Sequence, residues 1–271
     1  MKRILLVALV GLSITFAVKA QTIKIFSENK DQGYVIYASN IELYPVSISL
    51  DLDITNLSFS EAKRKIFVIP SKSDKFKIGE LTINEKGSRY KFSYQYQSAM
   101  GDVTITDYDR SFEYDLPFQK GKSYSVNQGY NGNFSHQNEN ALDFTMPEGT
   151  EVLAARDGII VQVVQNNTES CAKKECYKYN NYITIMHTDG TFARYTHIKY
   201  NGSKYKSGDT VKRGDLIAYS GNVGWTGGPH LHFVCFLGGF EKLNTIETKF
   251  KIDKAEKAVA LKEGNTYLRD Y

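Results

Sequence analysis

The stretch Ser47-Ile48-Ser49-Leu50-Asp51-Leu52-Asp53-Ile54 alternates polar and apolar residues without a break. That period of two suits a strand and places Ile48, Leu50, Leu52 and Ile54 on one face. From Gln21 to about Leu116 further strand-like runs (TIKIF, GYVIYASN, KIFVIP, FKIGELTI, YKFSYQYQS and DVTITDYD) alternate with polar turns. Nineteen Tyr and 15 Phe against a single Trp add to the bias toward strands. An all-β chain is therefore expected, opening with an immunoglobulin-like β-sandwich module over residues 21–118. No His or Cys falls in this module and its carboxylates are scattered, so it is expected to position, recognise or shield rather than to catalyse.

Ahead of it, Lys2 and Arg3 precede an apolar run from Ile4 to Val18, and Val18-Lys19-Ala20 stands before Gln21. This is the pattern of a secretory signal peptide over residues 1–20, cut after a small residue. The run is short for a membrane span, and no second candidate follows. The mature protein is thus expected to be secreted or periplasmic, with no membrane span after cleavage. Removing Lys2, Arg3 and Lys19 leaves 31 basic residues against 30 acidic ones, a balance that gives no reason to expect nucleic acid as a partner.

Three cysteines remain in an oxidising setting. Cys171 and Cys176 flank the polar AKKE and read as a disulfide closing a small loop, with a zinc pair as the alternative. Cys235 lies in an apolar run, where a buried free thiol is expected.

The character of the chain changes after Leu116-Pro117 and Gly121, the expected junction. Tyr124 to Phe134 is rich in Asn, Gly and Gln and reads as a surface loop. Ala141 to Phe144 reads as a short strand carrying Asp143. Val152 to Val164 reads as two strands divided by a hairpin signal at Asp157-Gly158. Asn181–Met186 and Thr191–His197 form a second pair around Asp189-Gly190, with Tyr195 and His197 expected on one face and Arg194 and Thr196 on the other. Residues 241–271 read as an extension, with a short helix around Lys254 to Leu261 and no chemistry attached.

All five histidines lie between His136 and His232. His230 and His232 stand two apart at the start of an apolar run, released by a turn at Gly227-Gly228-Pro229, so on a strand both imidazoles face one way. Such a pair serves a metal, divides metal binding from proton transfer, or simply hydrogen-bonds at a sheet edge. A catalytic zinc takes three protein ligands from imidazole nitrogen and carboxylate oxygen. His136, Asp143 and His232 make one such set, leaving His197 and His230 for supporting or proton-transfer work.

Taken together, SHQNENALDFTMPEGTEVLAARDG, YITIMHTDGTFARYTHI and SGDTVKRGDLIAYSGNVGWTGGPHLHF resemble the lysostaphin/LytM-type zinc endopeptidases, in order and over roughly residues 122–240. The resemblance implies a peptidase domain over residues 119–240, an antiparallel β-sheet of the duplicated-hybrid-motif, barrel-sandwich type with one zinc ion in its groove. His136, Asp143 and His232 match the family's ligands, and His197 and His230 its two catalytic histidines. His187 matches a strand position that binds no metal there, and is expected to be ordinary and partly exposed. The simplest family motif sets His and Asp four apart. Here they are seven apart, with Glu139 in the four-back position as a rival ligand.

The implied activity is endopeptidase cleavage of peptide cross-links in bacterial peptidoglycan by zinc-activated water. Tyr130, Tyr195 and Trp225 are candidate contacts to the peptide, with packing as their other reading. The other function class is a catalytically silent relative that binds peptidoglycan or regulates a hydrolase. Such relatives typically lack ligands or catalytic histidines, whereas every required residue type is present here.

Overall fold

The computed structural model describes residues 22–252 and 257–271. The signal peptide expected over residues 1–20 lies outside the described residues. So does part of the helix expected around Lys254 to Leu261, and in the described part of that segment Val259–Ala260 is a strand.

Seven strands come first: β1 (Ile23–Lys30), β2 (Gly33–Asn40), β3 (Val46–Thr55), β4 (Leu57–Phe59), β5 (Ile66–Ile69), β6 (Ser73–Ile83) and β7 (Lys91–Met100). They form two antiparallel sheets, in the orders β1-β2-β6-β4 and β5-β3-β7. Ile25, Ile36 and Leu81 of one sheet share a core with Ile48, Leu50 and Phe67 of the other. Strand β3 is the alternating stretch, with Ile48 and Leu50 buried and Asp51 and Asp53 exposed. The run DVTITDYD, expected as a strand, is not one. Asp102 Oδ1 accepts the Thr104 amide (2.8 Å) and hydroxyl (2.6 Å), a local turn that takes the backbone out of a ladder.

The second half supplies β8 (Glu113–Asp115), β9 (Ser123–Gln128), β10 (Ala141–Phe144), β11 (Glu151–Leu153), β12 (Gly158–Val164), β13 (Ser170–Cys171), β14 (Tyr182–Met186) and β15 (Phe192–Thr196). It continues with β16 (Thr210–Val211), β17 (Leu216–Tyr219), β18 (Gly224–Trp225), β19 (Leu231–Leu237), β20 (Asn244–Ile246), β21 (Lys249–Lys251), β22 (Val259–Ala260) and β23 (Thr266–Leu268). A nine-stranded sheet runs β16-β12-β14-β15-β19-β10-β9-β23, with β20 added to β19. The expected all-β architecture is the observed one. The only parallel pairings among the described strands are the short β13–β18 and β21–β8.

Two local expectations fail. Half of the supposed surface loop after Tyr124 is strand β9, whose Val126 is fully buried. Asp157-Gly158 is not a hairpin, because β11 pairs with β17 while β12 pairs with β14 and β16. The glycine is needed for close approach instead: a Cβ at Gly158 would lie 2.4 Å from the Met186 carbonyl oxygen.

The large sheet is covered on both faces. Leu142, Phe144, Leu231, Phe233, Cys235 and Tyr195 point into one core beneath it. On the opposite face Phe192, Val234 and Phe236 join the core of the N-terminal module, where Tyr44 meets Phe192 edge-on at 6.0 Å. Gly238 sits so close to the Met100 carbonyl that a Cβ would come within 1.6 Å of its oxygen. The final segment is woven in rather than appended, with β20 on β19, β21 on β8 and β23 on β9.

Candidate metal centre and groove

Alternation along β10 and β19 determines which side chains reach the open part of the sheet. Leu142 and Phe144 face the core, which turns Asp143 outward; Leu231 and Phe233 do the same for His232. Directly opposite residues share a face, and the registers line up Gln128, Asp143, His232, Thr196 and Tyr182 in one row across five strands. His230, bridged to Gly221 just before β19, lies two residues from His232 and joins the same face.

His136 arrives from the loop between β9 and β10. Gln128 fixes that loop, its Oε1 accepting the amides of Phe134 (3.0 Å) and Ser135 (2.9 Å). The Gln128 Nε2 donates to Ser135 Oγ (2.7 Å) and Asp143 Oδ2 (3.1 Å). One amide therefore orients both the carboxylate and the histidine loop. Nothing in the residue pattern points to this, because Gln128 sits in a polar stretch without a motif.

Three atoms converge. His136 Nε2 lies 3.2 Å from His232 Nδ1 and 3.3 Å from Asp143 Oδ1, and His232 Nδ1 lies 3.0 Å from the same oxygen. His136, Asp143 and His232 are the group of side chains that could hold a metal ion among the described residues. Glu139 stands outside it and is exposed, on the turn where its amide bonds the His136 carbonyl (2.9 Å).

Backbone carbonyls set the tautomers of three rings. Nδ1 donates to Gly129 O in His136 (3.0 Å), to Val223 O in His197 (2.8 Å) and to Gly228 O in His230 (2.8 Å). In His197 and His230 this leaves Nε2 with its lone pair, while His136 Nε2 faces Asp143 Oδ1 at 3.3 Å. The rings of His197 and His230 lie 4.5 Å apart, and His197 is 6.1 Å from His232.

Burial pushes the Asp143 carboxyl up, but bonds from His136 and His232 outweigh it and hold the group well below the usual carboxylate range. For His136, burial opposes the charged form and contact with Asp143 prevails, raising its pKa. Burial, reinforced by His230 and His232, pushes His197 down to about 3, and burial also lowers His230.

The face expected for His197 is corrected. Tyr195 and His197 do not share a side: Tyr195 is fully buried, its hydroxyl accepting the Ala155 amide (2.8 Å), whereas His197 lines the groove with Arg194 and Thr196. Strand β15 ends at Thr196, and His197 takes a left-handed φ of 65°, which breaks the alternation. Tyr130 is likewise engaged elsewhere, its hydroxyl bonded to the Thr248 carbonyl (2.8 Å). Of the three aromatic contacts expected, Trp225 alone lines the groove.

His187 is not partly exposed but buried at 3% exposure, its Nδ1 donating to Asp157 O (2.7 Å) and its Nε2 without a hydrogen-bond partner among the described residues. Burial lowers its pKa to about 4. The unfolded chain takes up this proton near pH 6.5 and the folded chain only near 4, so folded stability falls as pH drops through that window. His187→Asn is expected to flatten the pH dependence of thermal unfolding between those limits by up to ~3 kcal/mol. Identical slopes in the two metal-free proteins would count against this.

The groove has a volume of about 1230 Å³. Phe134, 77% exposed, stands on one rim; Tyr177 and Trp225 stand on another. A disulfide between Cys171 and Cys176, as expected, ties that second rim, and Trp225 Nε1 donates to Ala172 O (3.3 Å). Cys235 is a buried free thiol.

Residues 137–242 match the model of peptidase family M23. Over this segment the chain is similar to the M23 peptidases. The match contains Asp143, His197, His230 and His232 and begins one residue after His136. A protein described as an uncharacterized metalloprotease from Buchnera aphidicola subsp. Baizongia pistaciae is 34% identical over 45% of this chain and 31% of its own length. The peptidoglycan DD-endopeptidase ShyA of Vibrio cholerae is 35% identical over 37% of this chain and 20% of its own. The solved catalytic domain of lysostaphin from Staphylococcus simulans is 28% identical, covering 46% of this chain and 87% of that one, with a TM-score of 0.35. The chain thus spans less than a third of the length of these two curated relatives.

Proposed function

We propose that the chain is a zinc-dependent endopeptidase that hydrolyses peptide cross-links of peptidoglycan outside the cytoplasm, with His136, Asp143 and His232 as the metal ligands. The triangle of donor atoms carries this reading. Atoms bound at 2.0–2.1 Å around a tetrahedral centre lie about 3.3 Å from one another. The three edges here are 3.2, 3.3 and 3.0 Å. Two imidazole nitrogens and one carboxylate oxygen also form a donor set that suits zinc and leaves a fourth position open.

When bound, zinc supplies a Lewis acid and a water activated near neutral pH. The chain's own residues do the rest. Gln128 holds the Asp143 carboxylate and the His136 loop, so the ligands are pre-positioned. His197 and His230 present Nε2 lone pairs beside the triangle; one of them accepts the proton, and the ring that has taken it up then donates Nε2–H to the developing oxyanion. The relative named as a peptidoglycan DD-endopeptidase supports the substrate class, and the apolar start from Ile4 to Val18 supports export.

The test is mass spectrometry of muropeptides after incubation of purified peptidoglycan with zinc-loaded protein, using His230→Ala as control. Wild type is expected to release cross-linked stem peptides and the variant to release far fewer. Matching digests would favour a binding role instead.

A further inference from the structure

The groove floor carries a cation that the triangle does not use. Arg194 follows the metal row on β15, two residues before Thr196, and on the same face. At about 3.3 Å per residue it stands ~7 Å from that row. Its guanidinium is held between Tyr182 (4.8 Å) and Phe236 (5.1 Å). Nε donates to Thr184 Oγ1 (3.0 Å) and Nη2 to Gln162 Oε1 (3.4 Å). Both acceptors are neutral, and among the described residues no carboxylate forms an ion pair with Arg194. The group is half-buried, flat and oriented, and Nη1 makes no hydrogen bond among the described residues. A planar fork of this kind matches a carboxylate. The other groove cations, Lys174 and Lys242, are exposed rim residues on flexible stems.

We propose that Arg194 is a specificity residue that binds a free carboxylate of the peptide substrate, one to two residues from the bond to be cut. The inference rests on the peptidase reading and deepens it, since an uncharged bridge peptide offers no such partner. Thr184 and Gln162 hold the guanidinium in place, and its stacking partners limit the freedom lost on binding.

The test uses two synthetic peptides spanning the mapped cleavage site, identical except that the flanking carboxylate is free in one and a carboxamide in the other. Wild type is expected to favour the carboxylate in kcat/KM by about 10- to 100-fold, mostly through KM, as befits a charge-assisted pair. Arg194→Gln should bring the ratio to about one, and Arg194→Lys should leave an intermediate ratio because the charge stays while the fork is lost. Zinc content reports that the variants are folded, and Lys242→Gln should keep the preference. A wild-type enzyme indifferent to the carboxylate, or an Arg194→Gln variant that still prefers it, overturns the assignment. Failure of wild type to cut either peptide or peptidoglycan would instead overturn the peptidase reading.

Discussion

Replacing His232 with alanine is expected to remove bound zinc and cleavage together, while His197→Ala keeps the metal and loses about 10²- to 10⁴-fold in rate. The difference follows from where each ring sits. His232 occupies the middle of the row, its Nδ1 within 3.2 Å of both His136 Nε2 and Asp143 Oδ1. Two remaining donors are too few for a stable three-ligand site. Among the described residues His197 makes no hydrogen bond to a member of the triangle, being anchored to the Val223 carbonyl and tilted at 52° against His230. Metal analysis by mass spectrometry beside turnover of a peptide substrate separates the two roles. Equal zinc in the two variants would reverse the assignment.

The second large effect concerns stability. Arg269→Met is expected to cost about 3–5 kcal/mol, read as a lower urea midpoint. Arg269 reaches back to the junction between the two halves, its Nη2 pairing with Asp115 Oδ2 (2.9 Å) and its Nη1 donating to the carbonyls of Leu116 (3.1 Å) and Phe118 (2.8 Å). Its backbone also bonds Gly121 and Lys122. Removing the cation strands a buried carboxylate and two buried carbonyls, although Arg213, 3.6 Å from Asp115, tempers the loss. Asp115→Asn together with Arg269→Met should cost less than the sum of the single changes, because the pair acts as a unit. A loss under ~1 kcal/mol for Arg269→Met would show that the strap is dispensable.

Much of this was legible in the residues. The alternation of β3 and the apolar flanks of Asp143 and His232 reported which side each residue faces, since burial imposes the period. His197 was legible as a candidate but not in its orientation, because a left-handed φ in a non-glycine residue leaves no trace in a hydrophobicity pattern. Gln128 and Arg269 were invisible for a different reason. Each acts through partners far along the chain, Asp143 and Asp115, and a single sequence does not display such pairings. Asp157-Gly158 misled because a glycine required by close packing reads the same as one required by a tight turn.

The seam formed by Tyr44, Phe192, Phe236 and Gly238 bears on how the molecule can be divided. Cutting the chain near residue 118 to liberate the C-terminal half would strip the cover from a sheet surface that is aromatic and aliphatic at that end. Such a fragment would be sticky and prone to self-association, however intact its histidines. Anyone wishing to transplant the half that carries the histidines must first repaint that bare patch with polar side chains.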